Sequence, residues 1–249
     1  MELNHWPNLV SMFVRQAQNK GDAPFLWAKH GAKWTSTTWN ETLKQVECLA
    51  TSLRIHGLEN GGRVVLVADN SPEWAIADFA IMAAGGITVP AYTTYTEKDY
   101  KYLIEDCQPS IVIVSNEEMH DKLKNIINEK SFIRKVITFE KIQEVDYKNK
   151  YLDFNSITKN NLKESDKIKN SSLKRNSPAC IIYTSGTGGN PKGVILSHGG
   201  ILNNLVGACE IMKPLIDKRP IFLTWLPLSH SYEHTVQFAQ IAVLSLIHI

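Results

Sequence analysis

Ile181-Ile182-Tyr183-Thr184-Ser185-Gly186-Thr187-Gly188-Gly189-Asn190-Pro191-Lys192-Gly193-Val194-Ile195-Leu196-Ser197-His198 is the stretch on which the reading of this chain turns. An apolar, β-branched run leads in and a second one, Val194 to Leu196, leads out; each predicts a buried strand. Between them lie three hydroxyls, four glycines, a proline and a lysine. Glycine lets backbone N–H groups approach an anion and turn toward it, and Thr184, Ser185 and Thr187 add O–H donors. Lys192 adds a mobile positive charge. The composition suits the holding of a polyphosphate.

The order of residues excludes one well-known phosphate loop. In a Walker loop the lysine precedes a Ser or Thr and the chain continues into a helix. Here Lys192 stands between Pro191 and Gly193 and a strand follows. A plain Gly-rich hairpin is the bland alternative, yet it has no use for three hydroxyls and a lysine at fixed spacing. The segment resembles the phosphate loop of the adenylate-forming superfamily, whose common pattern is T-S-G-T-T-G-x-P-K-G. One departure stands out: Gly188 occupies the place of a second Thr. The resemblance implies that Thr184, Ser185, Gly186, Thr187, Gly188, Gly189 and Lys192 cradle the phosphates of ATP, with Lys192 also acting in catalysis.

A chain of 249 residues with formal net charge +2 can bury a sizeable core, and its bulk charge argues for neither nucleic acid nor a membrane surface. Cys48, Cys107, Cys180 and Cys209 are widely spaced, which suits a reducing compartment and neither a disulfide framework nor a zinc site. No signal peptide and no bilayer-spanning apolar run is evident, so a cytoplasmic protein is expected.

Along the chain, a helical spacing covers Asn8 to Asn19 and a strand pair meets at His30-Gly31. Thr38-Trp39-Asn40-Glu41 has the spacing of a capping box and predicts a helix to His56, closed by Gly57. Runs at Arg63 to Ala68 and Ile111 to Val114 predict buried strands, and Ile87 to Pro90 and Lys135 to Thr138 predict further strands. Helices between them begin at Ser71-Pro72, Thr96 and Asn116. Alternation of this kind argues for βαβ units, a parallel sheet and an α/β fold flanked by helices. Pro72-Glu73-Trp74 is read as architecture: Glu73 complements the helix dipole and Trp74 packs. Lys141 to Asn176 is rich in Lys, Asn, Ser and Asp without a clear period, and is expected to be a polar surface insertion rather than a nucleic-acid patch. The expected division is therefore 1–176, with the insertion near 141–176, and 177–249.

After a helix from Ser197 to Met212, Pro220 to Leu226 predicts another apolar strand, which ends in Pro227-Leu228-Ser229-His230-Ser231-Tyr232-Glu233-His234. A cluster of Ser, His, Tyr and Glu there sits where α/β folds place their sites. His230 and His234 have i,i+4 spacing, but the H-E-x-x-H order is missing, and Ser229 lacks the G-x-S-x-G elbow. The block is similar to the L-P-L-S-H-x-x-E motif of long-chain acyl-CoA synthetases. That resemblance implies a role for His230 in orienting the acyl carboxylate, and none for His234, where Arg is common.

The implied activity is ATP-dependent conversion of a long-chain fatty acid to acyl-CoA through an acyl-adenylate, with ATP, Mg²⁺ and coenzyme A taking part. Activation of another carboxylic acid, or nucleotide binding without catalysis, are the alternatives. Nucleic acid is not an expected partner, and peripheral membrane contact is compatible with the reading. The adenine, ribose and magnesium motifs of the family, its hinge and its distal catalytic lysine do not occur in these residues. Leu244-Ser245-Leu246-Ile247-His248-Ile249 matches what a sequencing-adapter end, CTG-TCT-CTT-ATA-CAC-ATC, would encode. We read these six residues as adapter-derived on an incomplete gene, with a native amphipathic tail as the alternative.

Overall fold

The β-branched runs form the centre of the molecule. The computed structural model describes residues 6–147, 149–163, 166–168, 172–184, 190–216, 221–243 and 246–248. β3 (Arg63–Val67), β4 (Ile87–Ala91), β5 (Ile111–Val114) and β6 (Lys135–Thr138) pair in parallel. β7 (Tyr151–Asp153) extends them on one side and β8 (Pro178–Thr184) on the other, both parallel. β9 (Lys192–Ser197) closes that second side antiparallel to β8, giving the order β7-β6-β5-β3-β4-β8-β9. The sheet is thus mixed, where the sequence alternation led us to expect a parallel one. A two-strand hairpin around the glycine-rich loop necessarily reverses the chain.

Side chains alternate across a strand with period 2, and this sheet uses both faces. Val64 and Leu66 of β3, with Ile111 and Ile113 of β5, enter one core; Val65, Val67, Val112 and Val114 enter the other. Helices α1 (Leu9–Lys20), α2 (Trp39–Ile55), α3 (Pro72–Ala83), α7 (His198–Ile216) and α8 (Ser231–Ala242) feed the first core. α4 (Glu97–Cys107) and α5 (Glu117–Glu129) cover the second. α3 is apolar nearly all round and lies inside the first core, flanked by α2. The expected caps are present: Thr38 with Glu41 forms the capping box of α2, Ser71 caps α3 ahead of Pro72, and Gly57 follows α2 with φ of 90°.

A second, four-stranded sheet runs β10-β11-β1-β2, built from β10 (Ile221–Leu223), β11 (Leu246–His248), β1 (Pro24–His30) and β2 (Lys33–Thr38). β1 and β2 are the expected antiparallel pair. β11 lies between β10 and β1, parallel to both, while Leu244, Ser245 and Ile249 of the suspected adapter stretch fall outside the described residues.

Three expectations need correction. The polar stretch after Lys141 is not simply a surface excursion. Its middle forms β7 and a short helix, α6 (Phe154–Thr158), and Tyr151, Phe154 and Ile157 are buried. Glu47 accepts the Ile168 N–H at 2.9 Å, tying the later part to α2. A low density of apolar residues concealed the few that anchor it. Beyond it, β8 and β9 continue the same sheet that β3 to β7 build. Nor is β9 a buried strand: it is the sheet's edge, with Val194 44% and Ile195 62% exposed. β10 likewise presents Ile221 and Leu223 to solvent. An apolar run shows that a strand is suited to burial, not that a neighbour is present to bury it.

Candidate functional site

Parallel pairing puts the carboxyl ends of β3, β4, β5 and β8 at one edge of the sheet, where α/β folds open their crevices. The glycine-rich loop leaves from that edge. Thr184, the last residue of β8, and Lys192, the first of β9, are cross-strand partners, and both side chains are exposed. Lys192 makes no ion pair among the described residues. Ser185, Gly186, Thr187, Gly188 and Gly189, the remainder of the expected cradle, lie outside the described residues.

What the structure does describe is how the stems of that loop are fastened. The Tyr183 hydroxyl donates to Asp106 on α4 at 2.5 Å, and burial together with that bond pushes the phenol pKa up. Tyr102, also on α4, donates to the Pro191 carbonyl at 2.9 Å. Gly193 lies opposite Tyr183, and a Cβ there would stand 2.9 Å from Ile181 Cγ2 and 3.2 Å from Tyr183 Cζ. The glycine after the lysine therefore seats an aromatic ring. Its absent side chain is what lets β8 and β9 stay in register beside α4.

His230 comes from a different part of the chain. It is the N-cap of α8, and its Nδ1 accepts the Tyr232 N–H at 3.2 Å. An accepting Nδ1 is bare in the neutral ring, so the proton resides on Nε2, which becomes a hydrogen-bond donor. The imidazole is exposed. No hydrogen bond or ion pair joins it to Thr184 or Lys192 among the described residues; the two parts share an edge of the sheet without touching through polar groups.

The segment leading to His230 is attached to the end of β3. Asn70 Nδ2 donates to the Leu226 carbonyl at 2.7 Å, and Asn70 Oδ1 accepts the Leu228 N–H at 2.9 Å. A cavity of about 390 Å³ opens here, lined by Asp69 and Asn70 after β3, Tyr92 and Thr93 after β4, and Trp225 and Ser229 from the attached segment. Thr93 donates to Asp69 at 2.9 Å, and Trp225 is 73% exposed at the rim. The lining mixes aromatic faces with hydroxyl, amide and carboxylate groups, a composition suited to a polar ligand with an apolar or planar part.

Sequence reasoning gave His234 no role and read Pro72-Glu73-Trp74, two residues beyond Asn70, as architecture. The structure buries His234 to 2% exposure, against Asp78 of α3, with Nε2 and Oδ2 2.8 Å apart. Burial alone would push this imidazole down, but the Asp78 carboxylate and its hydrogen bond more than offset that and hold the group up at about 10. Trp74 meets the ring edge-on at 5.3 Å and Phe238 stacks on it at 5.1 Å. One signal was available: an acid within the apolar run Ala75 to Met82 requires a buried partner. Nothing local named that partner, which is 156 residues away. Glu233, the acid of the His230 block, is buried as well, and burial pushes its carboxyl up. Among the described residues no group of three or more His, Cys, Asp or Glu comes together to hold a metal ion, and no helix is long and apolar enough to cross a membrane.

Known proteins resemble this chain over nearly its whole length. The chain is 30% identical to the long-chain-fatty-acid–CoA ligase ACSBG2 of Xenopus laevis over 231 residues, which are 90% of this chain and 31% of that protein. To the long-chain-fatty-acid–CoA ligase FadD15 of Mycobacterium tuberculosis it is 26% identical, over 93% of this chain and 38% of the other. It thus spans about a third of the length of these curated relatives. Among solved structures, a long-chain-fatty-acid–CoA ligase (FadD1) of Archaeoglobus fulgidus superimposes with a TM-score of 0.80 at 18% identity, covering 97% of this chain and 46% of that one. The fatty acyl-adenylate ligase of L. pneumophila, in complex with acyl adenylate and pyrophosphate, superimposes with a TM-score of 0.76 at 21% identity, over 99% and 40% of the two chains. At these identities the superpositions establish the fold. With a family match running unbroken from residue 13 to residue 244, the chain belongs to the AMP-binding enzyme family.

Proposed function

We propose that this chain provides the phosphate-holding and carboxylate-orienting part of an ATP-dependent ligase that activates a long-chain fatty acid. In the first step a carboxylate oxygen attacks the α-phosphorus of ATP, the bond to the β-phosphate oxygen breaks, and acyl-adenylate and pyrophosphate result. In the second, the thiolate of coenzyme A attacks the acyl carbonyl and AMP leaves. Negative charge shifts among phosphoryl oxygens in the first step, so fixed donors and a cation aimed at them lower the barrier. Thr184, Ser185, Gly186, Thr187, Gly188 and Gly189 form the cradle in this reading, and Lys192 follows the charge as it moves toward pyrophosphate. His230, donating from Nε2, orients the carboxylate for attack, a proximity effect.

The observation that carries the reading is the fastening of the two parts at one sheet edge. The stems of the loop are tied to α4 by Tyr183 and Tyr102, and the His230 segment is tied to β3 by Asn70. Mg²⁺, where it takes part, would be held largely by the phosphates of ATP, since no group of three or more His, Cys, Asp or Glu comes together among the described residues. The ligase names of the relatives favour a fatty acid among carboxylic acids. Because the chain spans only about a third of those relatives, a second reading holds for these residues in isolation: a nucleotide-binding module without turnover.

Two measurements test the proposal. Isothermal titration of ATP into the 249-residue chain should show binding that Lys192→Ala weakens; equal affinities would refute the cradle. In the protein expressed from its complete reading frame, fatty-acid-dependent ATP–pyrophosphate exchange should appear and should fall when His230 becomes Ala. Exchange supported by aryl or amino acids but not by fatty acids would transfer the chain to another substrate class.

A further inference from the structure

A segment that aims an imidazole at a substrate needs a fixed backbone, yet the chain between Leu223, the end of β10, and Ser231, the start of α8, belongs to no sheet ladder or helix. Its fixation comes from elsewhere. Asn70 reads both edges of the segment's backbone, donating to Leu226 and accepting from Leu228. The two bonds require the amide in one orientation only, since a flipped amide would set donor against donor and acceptor against acceptor. Two turns further along the same β3–α3 unit, Asp78 takes His234 at 2.8 Å, and His234 stands one helical turn from His230, whose carbonyl accepts the His234 N–H at 3.0 Å. One bond pair thus holds the chain just before His230, and one ion pair holds it just after.

We propose that Asn70 and Asp78 are positioning residues for His230, a two-point clasp that fixes the backbone on either side of it. The inference rests on the role given to His230 above. The clasp spans the chain rather than the sheet: both anchors come from residues 70 to 78, and both captured groups from residues 226 to 234. Asn70 also lines the cavity beside Tyr92 and Trp225, so the same side chain that holds the loop forms part of the wall against which a substrate would rest.

A positioning residue acts through the group it positions, which separates it from one that only stabilises the fold. In the protein expressed from its complete reading frame, Asn70→Ala should lower kcat of acid-dependent ATP–pyrophosphate exchange about tenfold, with KM for ATP moving by less than about twofold. Asn70→Asp should do no better, because a carboxylate still accepts from Leu228 but opposes the Leu226 carbonyl. Asp78→Asn should lower kcat in the same sense. In the double variant Asn70→Ala/His230→Ala the rate should equal that of His230→Ala, because the lost positioning has nothing left to position. Two multiplying losses, or a kcat for Asn70→Ala within about twofold of the parent, would overturn the clasp while leaving the role of His230 intact. An unchanged rate in His230→Ala would overturn that role and the clasp with it. The 249-residue chain gives an independent reading: hydrogen exchange at the Leu228 amide should accelerate in Asn70→Ala, and unchanged protection would refute the clasp whatever the kinetics show.

Discussion

The β8–β9 hairpin and the α3–α8 seam hold the two halves of the candidate site by opposite means. The hairpin is local. Its strands are consecutive, its edge faces solvent, and Lys192 is exposed at its mouth. The seam is distant and dry, joining residues 156 apart through a buried ion pair enclosed by Trp74 and Phe238. An exposed charge on an edge contributes little to stability and is available to a ligand, whereas a buried charge is costly unless paired and is closed to any ligand. The difference teaches that two residues of similar chemistry in one short motif can serve unlike ends. His230 faces outward from a helix cap; His234, one turn later, fastens that helix.

The comparison breaks most readily at the seam. Asp78→Leu leaves the His234 charge buried without its partner and should destabilise the chain by about 3–5 kcal/mol in urea unfolding. Adding His234→Met should recover most of that loss, and an equal loss in the single and double variants would mean that the pair is not the cause. At the hairpin the expected effect falls on chemistry instead. Lys192→Ala should reduce ATP–pyrophosphate exchange by about 100-fold in the protein from the complete reading frame, with the melting temperature of the 249-residue chain unmoved. A shifted melting temperature would show that the hairpin lysine is structural after all.

Gly193→Ala sharpens the contrast by damaging the hairpin's frame without touching its charge. The added Cβ meets Ile181 Cγ2 at 2.9 Å, so a loss of about 1–3 kcal/mol is expected. Thermal melts of Gly193→Ala and Gly193→Ser would measure it, and a neutral alanine would mean that Tyr183 can move aside.

Titrations at the seam change stability gradually, by at most about 1.4 kcal/mol per pH unit for each group. His234 faces Asp78 and Cys180 and is raised to about 10 from an unfolded value of 6.5. Its contribution is therefore fully present below pH 6.5 and is lost as pH rises through 10. His198, whose Nδ1 accepts the Leu9 N–H at 3.4 Å, is pushed by burial down to about 4. Its contribution is present above pH 6.5 and is lost as pH falls toward 4. Unfolding free energies measured from pH 4 to 10 should be blunted on the alkaline limb by His234→Gln and on the acid limb by His198→Gln. Exchanged limbs would contradict both assignments.

Most elements were legible because their signals are local. Thr38 with Glu41, Ser71 with Pro72, and the β-branched runs at Val64 to Val67 and Ile111 to Val114 each carry their own instruction. The purpose proposed for the loop rests on the same kind of local signal, since its hydroxyls, glycines and Lys192 lie close together in sequence. Burial was less so. Val194 and Ile195 read as core and lie at an edge, while Tyr151 and Phe154 sit in a polar stretch and are buried. Pairings across the chain were not legible at all. Asp78 announced that it needed a partner, but only the fold brings His234 to it, and the backbone bonds of Asn70 leave no trace in residue types.

The seam also sets an order of events during synthesis. Asp78 leaves the ribosome 156 residues ahead of His234, a delay of about 8–30 s at ordinary elongation rates. For that interval α3, nearly all of it destined for the interior, carries a carboxylate whose His234 partner is not yet made. The nascent chain must keep that helix wet or loosely docked until α8 emerges. A helix made later is then the one that lets an earlier helix be sealed from water.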